Sequence, residues 1–323
     1  MRVVVTGKMI EAVVKRPCRE HTVVMHTEDW KVERRTLLRA VEGAHGLLSM
    51  FTDKVDDELL AAGPRLKIVS NFGVGVDNID IASATRRKIM VTNTPDVLTD
   101  ATADLAFALI LAAGRRVVEG DNRTRGRMFK FPALFEFLGH DISEKTLGIV
   151  GLGRIGKAVA KRAAGFSMKV LYYNRTRLSP AEEAQAGVSF VDLHTLFQEA
   201  DFVSLHVPLT AETRHLVNAD MLRQMKPTAV LVNTARGPVV DEAALVSALR
   251  AGRILAAGLD VYEHEPDLAP GLSDLDNVIL LPHVGSATLE TRTRMAHLAA
   301  DNLLAGLQGV LPPNCLNPEV FSG

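Results

Sequence analysis

The chain has 323 residues, of which 47% are apolar and 23% charged, with a net charge of −1. That length suits two domains better than a single core, and the composition excludes a disordered or low-complexity chain. A charge balance so close to neutral gives no overall field that would draw the protein onto nucleic acid or an anionic membrane.

The start, "MRVVVTG", runs directly into a strand-like segment without the long apolar core of a signal peptide. Two cysteines, Cys18 and Cys315, stand near opposite ends at no metal-type spacing, so neither a disulfide framework nor a zinc site is expected. The most apolar window, "LAFALILAAG" from Leu105, is too short to span a bilayer. A reduced, cytoplasmic protein is the expectation.

Strands are expected at "RVVVT", "TVVMH", "GLLSM", "KIVS" and "KIMVTN", with helices between them. After "KIVS" comes "NFGVGVDNID" from Asn71, a G-x-G without a third glycine. It reads either as a turn offering the N–H groups of Val74 and Gly75 to an anion or as an ordinary tight turn. Next, "TPDVLTDATADLAFALILAAGRRVVEGDNRTRG" predicts one long helix, opened by Pro95 and the capping residues Thr99 and Asp100. A basic bias follows, with Arg115, Arg116, Arg123, Arg125, Arg127 and Lys130 against Glu119 and Asp121, and a solvated helix face explains it as well as a binding patch does.

A second series is expected at "TLGIVG", "KVLYY", "VSFV", "DFVSLHV", "TAVLVNT", "ILAAGLDV" and "NVILLPH". From Ser286 the pattern predicts another long helix, then a proline-rich tail. The fold class is therefore α/β, with two doubly wound, Rossmann-like parallel-sheet domains and a cleft between them. If the last helix packs back on the first series, that domain is discontinuous. Residues 1–98 and 287–323 then form a substrate-binding domain, and 99–286 a dinucleotide-binding one.

"LGIVGLGRIGKAVAKRA" places Gly151, Gly153 and Gly156 in G-x-G-x-x-G between a strand and a helix. The first glycine permits the turn, the second lets the backbone approach a pyrophosphate, and the third allows close packing of helix on strand. An acid holding the ribose 2′-hydroxyl is expected about 20 residues on; the window instead holds Asn174, Arg175, Thr176 and Arg177. Arg175 suits the 2′-phosphate of NADP, with Asn174 and Thr176 as hydrogen-bonding neighbours. NADP(H) is accordingly the preferred cofactor, with NAD(H) possible; the alternative is that both arginines are surface residues of a loop.

Ligands of doubly wound sheets bind beyond the carboxyl ends of the strands, which here read "HVPLT" from His206, "NTARG" from Asn233, "GLDV" from Gly258 and "PHVGSAT" from Pro282. Arg236 suits a carboxylate, or alternatively the start of the next helix near Asp241. His283 suits proton transfer, and Glu265 in "VYEHEP" would orient the ring and favour its protonated form. No histidine pair has metal-ligand spacing, so no metal is expected.

Together, "NFGVGVDNID", "TADLAFALILAAGRR", "GIVGLGRIG", "VPLTAETRHLVN", "VLVNTARGPVVDEAAL", "GLDVYEHEP" and "LLPHVGSAT" resemble the D-isomer-specific 2-hydroxyacid dehydrogenase family over nearly the whole chain. Within it, "VLYYNRTR" is similar to the glyoxylate and hydroxypyruvate reductases. The resemblance implies a catalytic set of Arg236, Glu265 and His283, Asp260 against the nicotinamide carboxamide and Thr102 near the cofactor phosphates. Cofactor contacts are expected from Leu152, Arg154 and Ile155 of the glycine loop, from Val207, Pro208 and Thr213, and from Thr234, Ala235 and Gly285. Val74, Gly75, Arg236 and His283 are expected to hold the substrate.

The expected reaction is NAD(P)H-dependent reduction of a small 2-keto acid, glyoxylate or hydroxypyruvate, with His283 as proton donor. The alternatives are 2-ketogluconate or another 2-keto acid, phosphite oxidation, or a non-catalytic dinucleotide-sensing binder. The resemblance also implies a homodimer. One departure is a segment with Phe129, Phe131, Phe135 and Phe137 where this branch often carries tryptophans, the chain's single Trp being Trp30.

Overall fold

The structure is a computed structural model and describes residues 1–9, 20–27, 32–126 and 134–322. Cys18, Trp30, Arg127, Phe129, Lys130 and Phe131 lie outside the described residues. The chain divides into two compact units, Met1–Leu98 with Ala287–Gly323, and Thr99–Ser286.

In the first unit, strands β1 (Arg2–Val5), β2 (Thr22–Met25), β3 (Gly46–Met50), β4 (Ile68–Phe72) and β5 (Met90–Thr92) alternate with helices α1 (Arg34–Val41), α2 (Asp57–Ala62) and α3 (Ile81–Arg86). The strand order is β2-β1-β3-β4-β5, and every ladder is parallel. Runs such as Val3, Val4, Leu47, Leu48, Ile68 and Val69 are buried, because a parallel sheet covered on both faces needs apolar side chains on both.

The second unit begins with α4 (Thr99–Gly114) and α5 (Val117–Arg125), followed by β6 (Thr146–Val150), α6 (Arg154–Ala164), β7 (Lys169–Tyr173), α7 (Pro180–Ala186) and β8 (Val188–Phe190). Then come α8 (Leu193–Glu199), β9 (Phe202–Leu205), α9 (Ala219–Gln224), β10 (Val230–Asn233), α10 (Glu242–Arg250), β11 (Ala256–Leu259) and β12 (Val278–Leu280). Its seven strands run in the order β12-β11-β10-β9-β6-β7-β8, all parallel. The order reverses between β6 and β9, and that switch point is where such sheets open a crevice for a ligand.

The single long helix expected after Pro95 is instead two. It starts at Thr99 and stops at Gly114, and Arg116 takes a left-handed conformation (φ 53°) before α5. Residues 139–140 cause the break: the Gly114 carbonyl accepts the His140 N–H at 2.8 Å, and a side chain at position 139 would meet that same carbonyl at 2.7 Å. A carbonyl engaged by another segment no longer serves the helix ladder. Arg116 then pairs with Glu119, as does Arg123, and both guanidinium groups lie over the Phe137 ring.

The last helix, α11 (Leu289–Leu307), is capped by the Thr288 side chain and belongs to the first unit. It packs on β4 and β3; the Ser70 hydroxyl donates to the Ala299 carbonyl at 2.8 Å. Beyond it, the tail covers the β5 edge. Leu316 N–H donates to the Val91 carbonyl, and Val91 N–H to Asn317 Oδ1, both at 2.8 Å; Asn317 Nδ2 donates to the Ile89 carbonyl at 2.9 Å. An edge strand is thereby closed by one buried amide. Asn317→Ala strands the Val91 N–H and the Ile89 carbonyl, so urea unfolding is expected to show a loss of about 1–3 kcal/mol; an unchanged midpoint would contradict this role.

Candidate active site

The glycine loop follows β6 at the switch point. Gly151 has φ +98°, and a Cβ there would stand 2.8 Å from the carbonyl carbon and oxygen of His206, so both conformation and space exclude a side chain. At Gly153 a Cβ would meet nothing, which leaves room for a ligand against the backbone. At Gly156 it would lie 2.4 Å from the Gly151 carbonyl oxygen. Helix α6 has Gly153 as its N-cap without a side-chain capping bond, so the first-turn N–H groups of Arg154 and Ile155 face the open side with the positive end of the helix dipole.

Two residues expected to face a cofactor serve the loops themselves. Asn174 Oδ1 accepts the Leu152 N–H at 2.6 Å, which leaves the Nδ2 end of its amide for a ligand. The Thr213 hydroxyl donates to the Pro208 carbonyl at 2.7 Å and accepts the Thr210 N–H at 2.8 Å, folding the segment after Val207 back on itself.

The arginines of the ribose window divide. Arg177 pairs bidentately with Glu183, at 2.7 and 2.9 Å, and stacks over Phe190. The Tyr172 hydroxyl also donates to Glu183. Arg175 and Thr176 are exposed, and among the described residues no acceptor holds the Arg175 guanidinium.

Arg236 follows β10 in a turn tied by Asn233, whose Oδ1 accepts the Ala235 N–H at 3.0 Å and whose Nδ2 donates to the Arg236 carbonyl at 2.9 Å. The alternative use of Arg236, capping the next helix, is filled by Asp241, whose own carboxylate caps α10. Immediately after Arg236, a Cβ on Gly237 would lie 1.8 Å from the Tyr262 carbonyl carbon. Only glycine lets this turn press against the segment that carries Glu265. The Thr234 hydroxyl is buried and makes no hydrogen bond among the described residues.

Glu265 Oε2 lies 2.8 Å from His283 Nδ1, and its Oε1 accepts the Tyr262 N–H at 3.0 Å. Both side chains are half-buried, so the pair is strengthened by reduced solvation. His283 sits at φ 53°, a region that favours glycine. Asp260, buried at the end of β11, supports it: its two carboxylate oxygens accept the Val284 and Gly285 N–H groups, each at 2.7 Å. Burial pushes the Asp260 carboxyl above its usual range, and the Val284 N–H, His283 and the Gly285 N–H act against that. Thr102, buried in the first turn of α4, lies close to Gly285.

Val74 and Gly75 belong to the first unit. Three successive carbonyls there are anchored: Gly73 by the Thr94 N–H at 2.9 Å, Val74 by Asn93 Nδ2 and Gly75 by Asn71 Nδ2, each at 2.8 Å. Because a trans peptide is planar, its N–H points opposite its carbonyl. The N–H groups of Val74, Gly75 and Val76 therefore turn away from those anchors, as an anion-binding turn requires.

Among the described residues no group of three or more His, Cys, Asp or Glu is placed to hold a metal ion, and no helix is long and apolar enough to cross a membrane. Asn233, Tyr262 and Glu242 are the site-building residues that motif reading passed over. Asn233 alone carried a local signal, an Asn at a strand end before a turn.

A Rossmann-type unit that sets a carboxylate-braced histidine and an arginine at its strand ends is the layout of a dinucleotide-linked dehydrogenase. Residues 107–285 match the family described as D-isomer specific 2-hydroxyacid dehydrogenase, NAD binding domain, and the chain belongs to that family. It is 54% identical to a glyoxylate reductase of Thermococcus litoralis over 293 residues, 90% of this chain and 88% of that one. Among solved structures, a protein from Thermus thermophilus superposes with a TM-score of 0.91 at 46% identity, covering 98% of this chain and 100% of that one. An NADPH-dependent glyoxylate/hydroxypyruvate reductase of Sinorhizobium meliloti, solved with NADP and malonate, gives 0.84 at 36% identity, covering 98% and 96%.

The Arg177 pairing and the Tyr172 hydroxyl hold the Glu183 carboxyl at about 2, down from the ordinary 4.5. A depressed folded-state pKa adds stability above the unfolded value that disappears as pH falls toward the folded one. Glu183→Gln is thus expected to be less stable than wild type at neutral pH. The gap between their urea midpoints should close as pH falls from about 4.5 to about 2; a constant gap would contradict the pairing.

Proposed function

We propose that this protein is a D-2-hydroxyacid dehydrogenase of the glyoxylate reductase type, reducing a small 2-keto acid, glyoxylate or hydroxypyruvate, with NADPH preferred over NADH. The 2.8 Å contact between Glu265 and His283 Nδ1 carries this reading. The relatives named glyoxylate reductase supply the substrate class.

NADPH, when bound, supplies the hydride. The residues present fit such a cofactor: the room at Gly153 and the first-turn N–H groups of α6 suit its pyrophosphate, the Thr234 hydroxyl, without a partner among the described residues, offers a buried contact, and the exposed Arg175 suits the 2′-phosphate. Thr102, Val207, Pro208, Ala235, Asp260 and Gly285 complete the proposed contacts. Arg236 grips the substrate carboxylate and polarises the keto group. His283 Nε2 gives its proton to the keto oxygen, while Glu265 on Nδ1 orients the ring. The product is the D-2-hydroxy acid.

The test is the loss of reduced-nicotinamide absorbance with glyoxylate, hydroxypyruvate, pyruvate and 2-ketogluconate. Turnover of the first two with NADPH is expected, falling about 10²–10⁴-fold in His283→Ala. Arg175→Asp is expected to raise KM for NADPH about 10- to 100-fold and leave that for NADH nearly unchanged. Equal effects on both cofactors would refute the 2′-phosphate assignment, and cofactor binding without turnover would favour a dinucleotide sensor.

We also infer a homodimer formed through the second unit. Val117, Val118, Leu134, Phe135 and Leu138 are exposed there, a concentration of apolar surface that a second copy would cover. Light scattering should give twice the chain mass for wild type, and a monomer for Leu134→Asp with Phe135→Asp.

A further inference from the structure

Glu242 is a buried acid that the proposed chemistry does not touch. It stands in the first turn of α10 with 3% of its surface exposed, and among the described residues no lysine or arginine pairs with it. A carboxylate buried without a counter-ion requires hydrogen bonds, and those of Glu242 come from one segment. Its Oε1 accepts the Glu263 N–H at 2.7 Å. Burial pushes its carboxyl upward, and the Glu263 N–H acts against that. Residue 263 stands two positions before Glu265.

The rest of the segment is held from other sides. The Tyr262 hydroxyl donates to the Leu281 carbonyl at 2.8 Å, and Gly237 lies against the Tyr262–Glu263 peptide. The outward Glu263 carboxylate is met by His215 at 2.6 Å and Arg214 at 3.1 Å. Glu242 is the contact from within the unit, and it grips backbone, so its effect does not depend on the side chain at 263.

Asp260 provides the parallel. Its buried carboxylate holds the Val284 and Gly285 N–H groups beside His283. Two interior acids therefore grip the two segments that meet in the Glu265–His283 contact.

We infer that Glu242 is a positioning residue for the proposed reaction: by gripping the Glu263 N–H group, it holds Glu265 at its working distance from His283. The inference rests on the reading of His283 as proton donor. Its consequence is a weakened hydrogen bond between Glu265 and His283 Nδ1, not only a loss of stability: without the grip, the carboxylate drifts from the ring.

The experiment observes the ring Nδ1 proton of His283 by NMR in histidine-labelled full-length protein, with the signal assigned by its absence in His283→Gln. Glu265→Gln sets the scale and is expected to move that signal out of the downfield range of a proton shared with a carboxylate. Glu242→Ala is expected to move it in the same direction, with NADPH affinity by fluorescence titration unchanged. Glu242→Gln, which keeps a carbonyl acceptor, is expected to fall between Glu242→Ala and wild type. A wild-type signal in Glu242→Ala, or identical signals in Glu242→Ala and Glu242→Gln, would overturn the inference. If Glu242→Ala does not fold, Glu242→Asp, an acid withdrawn by one carbon, takes its place and must shift the signal for the inference to stand. None of these spectra needs turnover, so an inactive wild type would refute the proposed reaction without deciding the role of Glu242.

Discussion

A parallel sheet turns the carboxyl ends of all its strands to one edge, and the second unit depends on that constraint. Residues far apart in the chain become neighbours because β6, β9, β10, β11 and β12 end on the same side. At the switch between β6 and β9 the approach is so close that position 151 has no room for a Cβ against the His206 carbonyl. The ligand-facing end of α6 is placed by the same contact, since Gly156 packs on Gly151. The glycine loop is thus a consequence of how two strands diverge, and any cofactor site there inherits its position from the sheet.

The chemistry at that edge rests on loops, which need other restraints. Buried carboxylates supply them. Asp260 holds two backbone N–H groups and Glu242 one, and a carboxylate suits this because one short side chain offers several lone pairs to donors. In both, burial raises the carboxyl's proton affinity and the N–H donors counter it. Glu183 stands at the opposite limit, buried but paired with a bidentate arginine, and its carboxyl is driven far down. Partners thus assign the same functional group to loop-holding in one place and to ion-pairing in another.

The strands of both sheets were legible because full burial writes continuous apolar runs into the sequence. The glycine motif was legible because each of its positions answers a separate steric demand. The break at Gly114 was not, since its cause, the chain at 139–140, stands well beyond the helix in sequence. The sequence singled out Arg175 for a phosphate but did not show what engages Arg177. Both follow β7, and the partner that claims Arg177 sits on α7, at Glu183. Asn174 and Thr213 were likewise legible as polar residues at strand ends, but not as residues whose oxygens serve neighbouring loops.

By itself the sequence determined the α/β class, the parallel strands, the dinucleotide fingerprint and the family, because these follow from local periodicity and from motifs whose spacing is fixed along the chain. Tertiary structure alone decided which polar groups meet. Glu265 reaches His283, Asp260 grips Val284 and Gly285, and Glu242 grips Glu263 because separate strand ends converge. Such contacts leave no periodic trace, for a hydrogen bond depends on distance in space and not on separation in sequence.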